Sequence, residues 1–90
     1  MRELPWGREE IIFQGASTRV KIITIRPGQR NSLQRHARRS EFWTILSEEG
    51  GTLRIGDSEM AAQHGAMFSV PVGAVHRFTA PPNAELKLLE

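Results

Sequence analysis

The sequence predicts an all-β chain, a small barrel or sandwich of about eight short strands with no helix longer than two turns, and three observations lead there. Turn-forming groups recur every eight to ten residues. Short runs rich in β-branched and large apolar residues lie between them. No window keeps apolar residues at i, i+3, i+4 and i+7 through three helical turns. Many short strands punctuated by Gly, Pro, Asn and Asp turns pack as two sheets or as one closed sheet.

In chain order, Pro5-Trp6-Gly7 marks a first turn, and the apolar run Glu10-Ile11-Ile12-Phe13 follows it before Gly15-Ala16-Ser17. Val20–Ile25 is β-branched almost throughout and stops at Pro27-Gly28. Phe42–Leu46 and Thr52–Ile55 flank Glu49-Gly50-Gly51. Ser58–Gln63, between Gly56-Asp57 and His64-Gly65, suits a helical turn or a strand equally. Met67–Val70 ends at Pro71-Val72-Gly73, and Glu85–Leu89 follows Pro81-Pro82-Asn83. Alternation assigns faces. Glu41, Trp43 and Ile45 share one side of their strand, while Phe42, Thr44 and Leu46 share the other. His76 and Phe78 face in together, with Arg77 outward or at the rim.

Ninety residues suit one domain, residues 1–90, with a core of limited size. Cysteine is absent, which excludes disulfides and thiolate metal sites. Stability must come from packing, a metal or a partner chain. No stretch approaches 18 consecutive apolar residues, and Met1–Trp6 has no apolar signal region, so a cytoplasmic protein is expected. The run Glu10–Phe13 is too apolar for a free terminal strand, which suggests a homodimer.

Ten of the twelve basic residues are arginine, and Arg26, Arg30, Arg35, Arg38 and Arg39 fall in fourteen positions without an acid. Arginine forks match phosphate and carboxylate, so the cluster points to an anionic small molecule. A nucleic-acid-binding barrel is poorly supported: there is no tyrosine, and six aromatics make a thin stacking platform.

The run Ser32–Trp43 carries the chemistry. Gln34 and His36 fall on one strand face, four residues then allow a turn, and Glu41 returns a carboxylate toward the imidazole. A second imidazole, His76, follows Pro71-Val72-Gly73. An amide oxygen, two imidazoles and a carboxylate form a mixed N/O set suited to Mn, Fe, Co, Ni or Zn. His64, in the turn before Gly65, fits no such pattern and is expected at the surface.

Gly28-x5-Gln34-x-His36-x4-Glu41, followed by Gly65-x5-Pro71-x-Gly73-x2-His76, resembles the two motifs of the cupin superfamily. Gln34 in place of the usual first histidine, within Ser32-Leu33-Gln34-x-His36-x2-Arg39-x-Glu41-x-Trp43, resembles the type II mannose-6-phosphate isomerase cupins. Those occur alone or as the C-terminal part of bifunctional enzymes that also make GDP-mannose. Departures are Ser47 in place of a glycine and Ala80 in place of an asparagine; members also continue past the position of Glu90 into an acidic, tyrosine-containing tail.

The resemblance implies a jelly-roll (double-stranded β-helix) barrel and a divalent metal held by Gln34, His36, Glu41 and His76. It also implies aldose–ketose isomerisation of a sugar phosphate. Lys21, which matches the family's Val-Lys position, and Arg39 are then the catalytic candidates. Arg39, Arg77 and Arg30 are candidates to hold phosphate or sugar oxygens, and Trp43 to stack on the sugar. Two rivals use the same ligands: a cupin-type Fe(II) dioxygenase, which a fourth ligand at Gln34 disfavours, and a non-catalytic metal- or sugar-binding cupin.

Overall fold

The computed structural model describes residues 1–33 and 41–90. Among them are nine strands and no helix: β1 (Arg2–Leu4), β2 (Gly7–Gln14), β3 (Arg19–Ile25), β4 (Glu41–Ile45), β5 (Gly51–Ile55), β6 (Ser58–Ala62), β7 (Met67–Val70), β8 (His76–Thr79) and β9 (Leu86–Leu89). Every named pairing is antiparallel. Six strands form one sheet in the order β1-β2-β3-β9-β4-β7, and three form the other in the order β6-β5-β8. No described helix is long and apolar enough to cross a membrane.

Local sequence explains the elements. The ambiguous Ser58–Gln63 run becomes β6 because Gly56-Asp57 makes a two-residue hairpin joining Ile55 to Ser58. Gly56 has φ 59° at the first central position, the glycine requirement of a type II′ turn, whose twist matches paired strands. β2 runs well beyond the Glu10–Phe13 seen in the sequence. Its charged half, Arg8-Glu9-Glu10, pairs with Thr24, Ile23 and Ile22, and the register shifts between Ile11 and Phe13. That bulge sends Phe13 to the outer face with Val20, while Ile11 stays on the inner side with Lys21.

The inner faces meet in one apolar core. Ile23 and Ile25 of β3, Trp43 and Ile45 of β4, and Leu86 and Leu88 of β9 pack against Leu53 of β5 and Phe78 of β8. The alternation expected of Glu41–Ile45 holds: Glu41, Trp43 and Ile45 are buried while Phe42 is exposed. Burying a large apolar side chain contributes about 1.5–3 kcal/mol, so this cluster supplies most of the drive to fold.

The stretch Gln29-Arg30-Asn31 is tied to β8. Arg30 bridges Thr79, Ala80 N–H donates to Gln29 O at 2.9 Å, and Asn31 exchanges bonds with Phe78. Asn31 N–H donates to the Phe78 carbonyl at 3.2 Å, and its Oδ1 accepts from Phe78 N–H at 2.9 Å.

Candidate functional site in the barrel interior

β4 and β8 place Glu41 and His76 on facing inner surfaces, 7% and 2% exposed. His76 Nε2 lies 3.8 Å from Glu41 Oε2. The other ring nitrogen, Nδ1, is 3.3 Å from the Ala74 carbonyl oxygen. A carbonyl only accepts, so Nδ1 carries a proton there, and Nε2 is the ring nitrogen turned toward Glu41. This is how a metal-ligating imidazole is commonly oriented by a backbone carbonyl.

Trp43 stands two residues from Glu41 on the same face. Its indole N–H is shared between Glu41 Oε2 and Glu90 Oε2, 3.1 Å from each. The indole centroid is 4.8 Å from the His76 ring and 4.6 Å from Phe78, which it meets nearly edge-on at 79°. The ring therefore packs the floor of the site while its one polar atom steadies two carboxylates.

Lys21 extends this polar row. Its Nζ is 3.2 Å from Glu90 Oε1 and donates to Glu9 Oε2 at 3.5 Å, with all three side chains largely buried. Arg2 closes the outer end on Glu9 Oε1 at 3.2 Å. Glu90 and Lys21 also exchange main-chain hydrogen bonds, both 2.8 Å, which prolong the β3–β9 ladder. Burial works against ionisation of Glu90. The Lys21 ammonium and hydrogen bonds with Glu41, Lys21 and Trp43 outweigh it, holding the carboxyl below its ordinary range. A cleft of about 680 Å³ beside the β2–β3 turn is lined by Lys21, Glu41 and Glu90 together with Val20, Phe42 and Thr44.

Of the residues singled out in the sequence, Gln34, His36 and Arg39 lie outside the described residues. Glu41, His76 and Lys21 are brought to the interior together. Trp43 is not available to stack on a sugar: it is 1% exposed and enclosed by His76 and Phe78. Arg77 and Arg30 do not reach the interior either. Arg77 alternates with the inward His76 and Phe78, and its Nε donates to the Asn31 carbonyl at 2.9 Å on the outer side. Arg30 is exposed beside Thr79 on that same side. His64 is exposed, as expected. Sequence reading passed over Glu9 and Glu90. Their signal was parity, since Leu86, Leu88 and Glu90 alternate onto one face and Glu9 pairs with inward-facing Ile23.

Two donors of the kinds that hold divalent cations, His76 and Glu41, meet here, and among the described residues no third His, Cys, Asp or Glu joins them. An imidazole nitrogen and a carboxylate oxygen face each other in a buried site. Among the described residues the charged side chains of the inner row are Glu9, Glu41 and Glu90 against Lys21, a negative excess. Oxygen and imidazole ligands of this kind suit Mn, Fe, Co, Ni or Zn.

Comparison with known proteins gives the family and the fold. XanB, the xanthan biosynthesis protein of Xanthomonas campestris pv. campestris strain B100, is 35% identical over 86 residues, covering 96% of this chain and 18% of its own. AlgA, the alginate biosynthesis protein of Pseudomonas aeruginosa, is 33% identical over 88 residues, with 96% and 18% covered. The mannose-1-phosphate guanylyltransferase of Escherichia coli K12 is 31% identical over 86 residues with the same coverage. The chain thus spans about a fifth of the length of these relatives. Among solved structures, a protein from Thermus thermophilus superposes with a TM-score of 0.85 at 18% identity, over 99% of this chain and 87% of that one. A cupin-2 domain from Rhodospirillum rubrum gives 0.81 at 23% identity, over 90% and 55%. These establish the cupin fold, and the family model for the mannose-6-phosphate isomerase C-terminal domain matches residues 2–90. This chain belongs to the mannose-6-phosphate isomerase C-terminal family of cupins.

Proposed function

We propose that the barrel interior is the divalent-metal centre of a mannose-6-phosphate isomerase-like enzyme that interconverts aldose and ketose 6-phosphates. The observation that carries this reading is the buried pair of His76 Nε2 and Glu41 Oε2, 3.8 Å apart, with Nδ1 turned to the Ala74 carbonyl. Glu41 and, from the second motif, His76 would hold the metal together with Gln34 and His36, which share the first motif with Glu41. Bound there, the metal supplies Lewis acidity toward the substrate's carbonyl and hydroxyl oxygens.

The chain's own groups do the rest. Trp43 N–H fixes the Glu41 carboxylate, and the aromatic floor of Trp43 and Phe78 keeps water from the inner side of His76. Lys21 donates to the carboxylates on either side of it, so its ammonium is a donor for a substrate oxygen placed beside them. Glu90 positions that ammonium; a carboxylate held below its usual range is a weak proton acceptor and serves better as an anchor. Arg39 remains the candidate to hold the substrate phosphate.

The test is a coupled assay of fructose 6-phosphate formed from mannose 6-phosphate by the chelator-stripped chain reloaded with Mn, Co or Zn. Metal-dependent turnover is expected, with losses of at least a hundredfold in His76→Ala and Glu41→Gln. Circular dichroism should show both variants folded. One metal bound per chain without turnover would overturn the enzyme reading in favour of a binding cupin. Oxygen consumption with Fe(II) would favour a dioxygenase.

We also propose that a second copy of the chain covers the outer face of the six-stranded sheet. Phe13, Phe42 and Met67 are 56%, 67% and 72% exposed there. The register puts them on one face with Val20, Ile22 and Leu89. A clustered apolar face of this kind is unusual on a monomer.

A further inference from the structure

The outer face of the three-stranded sheet carries the arginines that the interior leaves unused. Arg54 of β5 and Arg77 of β8 are direct register partners, and Thr52 pairs with Thr79 one step along on the same face. Arg30 bridges Thr79 from the far side. Together they line a groove of about 360 Å³, with Asp57 and Glu59 toward the β6 side.

Like charges directly opposite on adjacent strands repel; Arg54 has Arg77 opposite it on β8 and the carboxylate of its other register partner, Glu59, on β6. Arg54 has Asp57 at 4.0 Å, the limit of an ion pair. Neither Arg30 nor Arg77 has an ion pair among the described residues. The guanidiniums of Arg54 and Arg77 are nevertheless held in place, because each donates its Nε–H to a main-chain carbonyl. Arg54 bonds Gly56 O at 2.8 Å and Arg77 bonds Asn31 O at 2.9 Å. Neutral carbonyls fix the two forks through their Nε–H groups without using their charge, and one terminal nitrogen of Arg54 faces Asp57. Two threonine hydroxyls between them add donors.

We propose that this groove is an anion site for a phosphate group, free or carried on a small molecule, separate from the barrel interior. Preset arginine forks with hydroxyls beside them suit a tetrahedral oxyanion. The lining contains no apolar or aromatic side chain. It therefore lacks the buried anchor a protein partner uses and the stacking surface a nucleic acid uses.

The test is a titration of the chelator-treated chain with inorganic phosphate against sodium chloride of equal ionic strength, read by NMR at the arginine Nε–H signals. Saturable shifts at Arg54, Arg77 and Arg30 are expected, with affinity falling about threefold to tenfold in Arg54→Gln and in Arg30→Gln. Arg77→Gln also loses the bond to Asn31 and is read only if its amide spectrum stays folded; the other two variants decide the matter without it. A parallel titration with glycerol 3-phosphate separates a site for the free ion from one that admits an ester. Equal responses to phosphate and chloride, or saturable shifts confined to the interior around Lys21, would overturn the assignment.

Discussion

Replacing Lys21 with methionine tests the buried polar row, because methionine keeps most of the aliphatic stem and removes only the ammonium. Lys21 Nζ is 3.2 Å from Glu90 and 3.5 Å from Glu9, with side-chain exposures of 12%, 14% and 16% respectively. At an effective dielectric constant near 20, the closer pair alone attracts by about 5 kcal/mol before desolvation is counted. Removing one partner of a fully buried pair costs about 3–5 kcal/mol, and the slight exposure here brings the expected loss to about 2–3 kcal/mol. For a domain of this size that lowers Tm by about 10–20 °C.

The sign with pH follows from Glu90. Its carboxyl is held below the ordinary range in the folded chain. Its contribution is therefore present above the unfolded value of about 4.3 and is lost as pH falls through the depressed folded value. In Lys21→Met, burial of Glu90 acts without the ammonium to offset it, so protonation relieves the variant at a higher pH. The stability gap between wild type and variant should be widest at pH 7 and narrow toward pH 4. Urea unfolding followed by tryptophan fluorescence and circular dichroism, with chelator present throughout, measures it. In a Glu90→Gln background the same substitution should cost under about 1 kcal/mol, since the cycle isolates the coupling. A gap below about 0.5 kcal/mol at pH 7, or one equal at pH 7 and pH 4, would refute the reasoning.

Gly50 has φ 66°, and a Cβ there would run into the Ala62 carbonyl oxygen. Gly50→Ala should therefore lose at least about 2 kcal/mol by thermal unfolding, left-handed strain of about 1–2 kcal/mol adding to the clash. Phe42→Ser with Met67→Ser should convert a dimer to a monomer in sedimentation velocity at micromolar concentration with little change in Tm; a wild-type chain that sediments only as a 10.1 kDa species would remove the dimer proposal.

Much of the fold was legible because periodicity and turn chemistry are local. The face assignments of Glu41–Ile45 and His76–Phe78 follow from alternation alone, and the structure keeps them. β6 was not decidable, since six residues of mixed polarity carry no period; the glycine at Gly56 settles it only once the hairpin partner is known. The start of β2 was hidden because Gly7, Arg8 and Glu9 precede the apolar run Glu10–Phe13 and carry no apolar alternation. Glu9 turns inward to meet Lys21, a contact twelve residues distant that no window can reveal. The substrate roles of Arg30, Arg77 and Trp43 were inferred from a motif, which gives neighbours in sequence but not the side of a sheet. Parity had already directed Arg77 outward or to the rim, and the structure places it on the side away from His76 and Phe78.

β8 shows why that parity matters for function. Four residues alternate between two chemistries: His76 and Phe78 complete the interior, while Arg77 and Thr79 line the outer groove. A one-residue slip in register would exchange them, placing an arginine beside Trp43 and an imidazole in water. Pairing with β5 fixes one edge of the strand, from Ile55↔His76 to Thr52↔Thr79. On the other edge, buried Asn31 both donates to and accepts from Phe78, and only its own side chain supplies the second bond. Asn31 holds Arg77 through its main-chain carbonyl, while its side chain serves the strand alone. Its amide adds a second tie at Phe78 to the β5 ladder, so both edges of β8 hold the register that turns His76 inward.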